Sequence, residues 1–205
     1  MSLPDFAPVR VPASAPERIG SRPVVGVIEQ PGTRFVLYGS DFASSSAIVA
    51  LGPKGRVRYA FDLLSFGYPP RSLAGLSPYG PQEIVWARQV GQTLLVAHAH
   101  ASYARESGNR NGYLTAIDLH RKRVRWRSPS LVANAYTFVV VGDAVVTGYG
   151  FTAEGDWLYL LDLNTGRIED RLPLPSAPET IERRGRDRLV VQTYDARVVV
   201  RLRPA

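Results

Sequence analysis

His98 and His100 close an apolar run in the order His-Ala-His, and their spacing is the first that could carry chemistry. On an extended strand, residues i and i+2 project to the same side, so two imidazoles placed this way can serve as a proton-transferring base or as a pair of metal ligands. A third ligand would come from elsewhere, with Glu106 and Asp118 nearest in the chain, and no spacing singles one out. The competing reading is a pair of packed, hydrogen-bonded histidines. The chain has no cysteine, which excludes a disulfide framework, a thiolate zinc site and a cysteine nucleophile. No G-x-S-x-G elbow and no phosphate-binding glycine loop ahead of a helix occurs, and the serines of DFASSS (41–46) read as a polar turn. The sequence implies no cofactor and assigns no metal site.

The second constellation is aromatic and cationic. Residues 65–82 hold Phe66, Tyr68, Arg71 and Tyr79, and residues 100–112 hold Tyr103, Arg105, Glu106, Asn109 and Arg110. Tyrosine and arginine together offer area, stacking and charge-assisted hydrogen bonds, which recognition surfaces use. Tyr68, Arg71, Tyr79, Tyr103, Arg105 and Arg110 are the expected ligand contacts, joined on the same rim by Tyr149 and Asp156. The alternative is two loops folded over neighbouring structure, with the tyrosines filling a small core of their own.

The elements that position these residues repeat. A short apolar run, a turn at glycine and a second apolar run recur at 24–39, 83–99, 136–150 and 179–194, with turn glycines Gly32, Gly91, Gly142 and Gly185. A second pair of runs follows each of the first three hairpins (45–63, 113–128 and 157–172), and a single run, 196–205, follows the fourth. Asp118 and Asp162 fall at matching places in that second pair, each followed by leucine and a short turn. The alternation is strand-like and no segment sustains a 3.6-residue apolar stripe, so an all-β chain is expected. Four antiparallel strands repeated about four times describe the blades of a small β-propeller.

Two segments carry a family resemblance. YLTAIDLHRKRVRW (113–126) and LYLLDLNTGRI (158–168) resemble the strand–turn–strand of PQQ-like and WD40-like propeller repeats, in which an aromatic-rich strand ends in Asp and turns into an outer strand. The resemblance spans roughly residues 24–203 and implies the fold. It implies no activity, because propellers host many unrelated functions. A quinone cofactor does not carry over either, since quinone-dependent members are far longer, eight-bladed chains.

The 205 residues then divide into an extended leader, 1–22, rich in proline, and a single propeller domain, 23–205. The last blade lacks its outer strand. Either FAPVRVPA (6–13) supplies it, closing a monomer, or the open edge pairs with a second copy as a homodimer. The longest apolar run is too short to span a bilayer. A native Met1 points to the cytoplasm, and a removed export signal to a periplasmic or extracellular site.

Strand order also sorts loops onto faces. Turns within the first and second hairpins of each blade fall on one face, and the long 65–82 and 100–112 segments on the other. The net charge is +7, with 25 cationic residues of which only Lys54 and Lys122 are lysine. Lys54, Arg121, Lys122, Arg183, Arg184 and Arg186 gather on the turn face, while Arg123, Arg125 and Arg127 alternate along an outer strand. This face reads as solvated turns, because no stacking aromatic accompanies the arginines apart from Trp126, which alternation places on the other side of its strand; nucleic acid is therefore not the favoured partner. The leading expectation is a binding or scaffold module that holds a protein, peptide or glycan at the long-loop face. The alternative is a lyase, cyclase or hydrolase acting on a small molecule at that face with His98 or His100 as base or metal ligand. A weaker alternative is anion or nucleic-acid binding through the turn face.

Overall fold

The computed structural model describes residues 13–40, 44–68 and 82–202, and among them it contains strands and turns with no helix. Sheet 1 comprises β1 (Arg18–Ile19), β2 (Arg22–Gln30), β3 (Thr33–Tyr38), β4 (Ala47–Leu51) and β5 (Val57–Asp62). Sheet 2 comprises β6 (Glu83–Val90), β7 (Thr93–Ala99), β8 (Tyr113–Asp118) and β9 (Arg123–Arg127). Sheet 3 holds β10 (Val139–Val141), β11 (Ala144–Tyr149), β12 (Trp157–Asp162) and β13 (Ile168–Pro173), and sheet 4 holds β14 (Pro178–Arg184), β15 (Arg188–Thr193) and β16 (Arg197–Arg201). Every sheet is ordered as the chain runs and every pairing is antiparallel. The protein is a four-bladed β-propeller.

Both faces of the middle strands are apolar, which is why blades stack. In β7, Leu94 and Val96 face blade 1 beside Phe35, Ile48 and Phe61, whereas Leu95 and Ala97 face blade 3 beside Val145, Tyr149 and Leu161. Val146 and Leu158 of blade 3 then meet Ile181, Leu189 and Val191 of blade 4. Strand alternation with two buried faces makes β3, β4 and β7 nearly continuous in apolar residues, and stacked sheets bury them.

The remaining face of blade 1, built from Val36, Tyr38, Ala47, Val49 and Leu51, is covered by the chain's own leader: Ala15 and Ile19 pack on it. The Tyr38 hydroxyl donates to the Pro16 carbonyl at 2.7 Å, and β1 pairs with β2 as a fifth strand of sheet 1. Residues 15–19 thus pack and pair against sheet 1. The segment expected to finish blade 4 lies outside the described residues except for Ala13. Blade 4 shows three strands among the described residues.

Candidate long-loop site

The expected division of faces holds in the geometry. Register pairs Thr93 with Asp118 at one end of blade 2 and His98 with Tyr113 at the other. Asp118 thus lies at the turn face, where its Oδ1 accepts the His120 and Arg121 amides at 3.0 and 2.8 Å. It is a turn cap, and it cannot join the histidines as a metal ligand. Among the described residues no three His, Asp or Glu side chains converge as a metal site.

His98 is fully buried between blades 1 and 2. Its ring lies between Tyr68, 4.9 Å away by centroid, and Tyr113, 5.6 Å away. Nδ1 donates to the Gln82 side-chain oxygen. Nε2 accepts from the Thr115 hydroxyl at 2.7 Å, and Thr115 in turn accepts from Arg127 Nε at 3.0 Å. Burial, reinforced by the Arg127 charge, holds the imidazole pKa well below its ordinary value, so the ring is neutral and both nitrogens are engaged by protein. His98 is thus a packed, hydrogen-bonded histidine. His100 is buried too, its backbone amide and carbonyl bonded to the Asn111 side chain.

Two further residues differ from their expected places. Tyr68 is buried, and its hydroxyl donates to the Ser45 carbonyl at 2.7 Å; it joins blades 1 and 2 and offers no surface to a ligand. Arg127 does not belong with the solvated turn-face arginines. It stands at the long-loop end of β9, half-buried, donating to Thr115 and to the Gly67 carbonyl, and burial lowers its pKa. The serines read as a polar turn are also structural. Ser45 Oγ accepts from the Ile84 amide at 2.9 Å and donates to its carbonyl at 3.1 Å, stitching blade 1 to blade 2. Arg71 and Tyr79 lie outside the described residues.

The 100–112 loop is held in place by Asn111. Its Oδ1 accepts the His100 and Gly112 amides, and its Nδ2 donates to the His100 and Ser102 carbonyls. A side chain making four bonds holds the loop at its base, and Arg105 and Arg110 are exposed beyond it. The loop also grips blade 3. Tyr103 meets Phe151 edge to face at 4.7 Å, and the Ala104 amide donates to Glu154, whose other oxygen accepts the Tyr149 hydroxyl at 2.6 Å.

Between these two loops, blades 2 and 3 part into a crevice of about 250 Å³ lined by Ala104, Leu131, Tyr149, Glu154, Gly155, Trp157 and Tyr159. Register explains the convergence: Tyr149 pairs with Trp157 and Thr147 with Tyr159, so the three rings share the sheet face that looks toward blade 2. Tyr149 lies against Gly112, where an added Cβ would approach its ring to 2.6 Å. The Arg171 guanidinium sits 4.5 Å from the Trp157 ring centre, and Arg171 is the register partner of Tyr159. Burial and the Glu154 carboxylate push the Tyr149 hydroxyl pKa well up, so it is a neutral donor. Trp157 and Tyr159 were absent from the sequence-derived contacts; their signal is the alternation of aromatics on one face of β12. Asp156, expected at this rim, is beside it, its pKa raised by burial and by Asp195 and Glu154.

A second cleft of about 310 Å³ opens between blades 1 and 2 toward the turn face, with Arg58, Tyr59, Gln89, Gln92 and Lys122 among its walls. Its tyrosine is engaged, the Tyr59 hydroxyl donating to Gln89 at 2.9 Å. Elsewhere on that face arginines serve their own turns: Arg183 donates to the Gly185 and Arg186 carbonyls, and Arg184 pairs with Glu182 at 2.5 Å.

Comparison with solved structures follows this geometry. BamB from Moraxella catarrhalis is 11% identical with a TM-score of 0.53, the match covering 87% of this chain and 43% of that one. The computationally designed Ika4 protein is 9% identical at 0.53, with 95% of each chain covered. The quinohemoprotein alcohol dehydrogenase ADHIIG from Pseudomonas putida HK5 is 14% identical at 0.52, covering 82% of this chain and 28% of that one. The fold is a PQQ-like β-propeller. This PQQ-like propeller spans less than half the length of BamB. No family model matches the sequence, and no curated protein does. At these identities the likeness is one of fold.

Proposed function

We propose that this propeller is a binding or scaffold module whose long-loop face holds a protein, peptide or glycan. The observation that carries the reading is the aromatic crevice between blades 2 and 3. Tyr149, Trp157 and Tyr159 converge there on rigid strands, and the Asn111-braced loop and Glu154 fix its rim. Rings held by packing lose little freedom on binding, so the site is pre-organised. Arg105, Arg110 and Tyr103 extend the surface along blade 2. The enzymatic alternative loses its main support with both ring nitrogens of His98 engaged inside the protein. The turn face offers arginines occupied with their own carbonyls and carboxylates, which favours the long-loop face over anion binding.

The test is a screen of short peptides and glycans by saturation-transfer NMR, followed by mapping of bound ligands on the labelled protein. Binders are expected to shift Ala104, Leu131, Gly155 and Trp157, and to weaken at least tenfold with Trp157→Ala. Ligands that map instead to the turn-face cleft around Arg58 and Lys122, with Trp157→Ala indifferent, would overturn the reading.

A further inference from the structure

We infer that the crevice between blades 2 and 3 is a subsite for one neutral pyranose ring of a glycan. The inference rests on the binding-module reading of the same site and adds the chemistry of its occupant.

Three features point to a sugar. The walls are aromatic faces and the Leu131 side chain, surfaces that take the C–H face of a pyranose by dispersion and by contact with the electron-rich ring. Polar groups of both kinds are close: Glu154, in the lining, accepts hydrogen bonds only, and Arg171, over the Trp157 ring, donates only. Glu154 has two of its lone-pair directions taken, by Ala104 and Tyr149, which leaves acceptor capacity for ligand hydroxyls. Arg171, held over Trp157 and paired in register with Tyr159, has N–H groups to donate. A ligand that is flat and apolar on one side, with hydroxyls around its rim, answers every one of these groups.

Charge separates the sugar from the two nearest competitors. An aromatic box with one carboxylate suits an ammonium or methylated lysine, but here a guanidinium already lies on the tryptophan, so a second cation at that ring would meet like charge. A proline or leucine side chain would fill the aromatic space and leave both charged groups without a partner as they were desolvated, which is costly. Size agrees: about 250 Å³ is below the roughly 300 Å³ at which pockets for drug-sized ligands begin, so the crevice takes one ring and not an extended ligand.

The experiment titrates the intact chain with methyl glucoside, galactoside, mannoside and N-acetylglucosaminide at millimolar concentrations, reading saturation transfer and the tryptophan emission. The same measurements are made with a proline-rich peptide and a trimethyllysine peptide. At least one neutral glycoside is expected to bind, to receive saturation on the C–H protons of one face, and to lose tenfold or more in affinity with Trp157→Ala. Trp157→Phe, which keeps an aromatic face, should lose less, and Arg171→Leu should lower affinity while the protein still unfolds cooperatively, guarding against misfolding of the alanine variant. If a peptide occupies the crevice and no glycoside binds or competes, the sugar assignment is overturned while the binding module stands. If neither glycosides nor peptides shift any crevice residue, both readings fall.

Discussion

The indole of Trp126, from the outer strand of blade 2, lies over Gly166 in the last turn of blade 3, where an added Cβ would stand 2.3 Å from the ring. Its Nε1–H donates to the Leu163 carbonyl at 3.0 Å, so one side chain both packs on and hydrogen-bonds to the neighbouring blade. Trp126→Ala is expected to cost about 3–5 kcal/mol, as large-to-small changes of buried tryptophan do. Trp126→Phe should cost less, since it keeps a ring over Gly166 while surrendering the N–H bond, worth about 1 kcal/mol. Gly166→Ala should destabilise as well, because φ there is +71° and the ring blocks the methyl. Urea unfolding measures all three. A Trp126→Ala loss below about 1 kcal/mol would show that the blades hold together without this contact.

The matching turn in blade 2 places Lys122 where blade 3 has Gly166. Lys122 adopts φ +51°, a left-handed conformation that costs an L-residue roughly 1–2 kcal/mol. Asp118 and Asp162 cap the two turns alike, each accepting amides two and three residues on. Lys122→Gly is therefore expected to stabilise the protein by about 0.5–1 kcal/mol in chemical denaturation, the relief being partly offset by the freedom glycine adds to the unfolded chain. A destabilised variant would mean that the lysine side chain makes contacts on the turn face that outweigh the strain.

Those turns, and the hairpins around Gly32, Gly91, Gly142 and Gly185, were legible because they depend on neighbours in the chain: strand alternation has a period of two, and each of these glycines carries a positive φ at its turn. The crevice was not legible in the same way. Tyr149 meets Trp157 through strand register, which sequence constrains, but the gap opposite them depends on how blade 2 docks, through Trp126 and Leu131. Tyr68 misled for a related reason. An aromatic in a long loop suggests a contact surface, yet this one is drawn inward by the His98 ring, a partner thirty residues away whose burial no local pattern discloses. Arg127 follows the alternation of Arg123 and Arg125, but it is the member of that row that reaches the Gly67 carbonyl of blade 1.

The leader makes a contribution that can be measured at one atom. Tyr38 is fully buried in blade 1, and its hydroxyl is bound to the carbonyl of Pro16. Tyr38→Phe removes the donor and keeps the ring, and is expected to cost about 1–2 kcal/mol, with greater hydrogen exchange at Ile19, whose strand pairs with β2. Unchanged exchange there would show that β1 is held by its pairing and by Ile19 packing alone.

The buried imidazole gives the protein an acid-sensitive stability with a definite sign. In the folded state His98 is neutral, its pKa well below the ordinary 6.5. As the pH falls through 6.5 the unfolded chain takes up a proton that the folded chain refuses, so unfolding becomes easier, by up to about 1.4 kcal/mol per pH unit. Asp62 behaves differently. Its hydrogen bond to Arg22 holds its pKa below the ordinary 3.8, so its contribution is intact above that value and is lost only as the pH falls further. Asp162, held down by its bond to Thr165, follows the same course. Acid destabilisation should thus come in two stages, a histidine stage beginning near pH 6.5 and a carboxylate stage below about 4. His98→Gln, with an amide that does not titrate, should abolish the first stage and leave the second, even where it lowers stability at pH 7.5. Urea midpoints at pH 7.5, 6 and 5 decide the matter: parallel losses in the wild type and His98→Gln would move the proton uptake to another group.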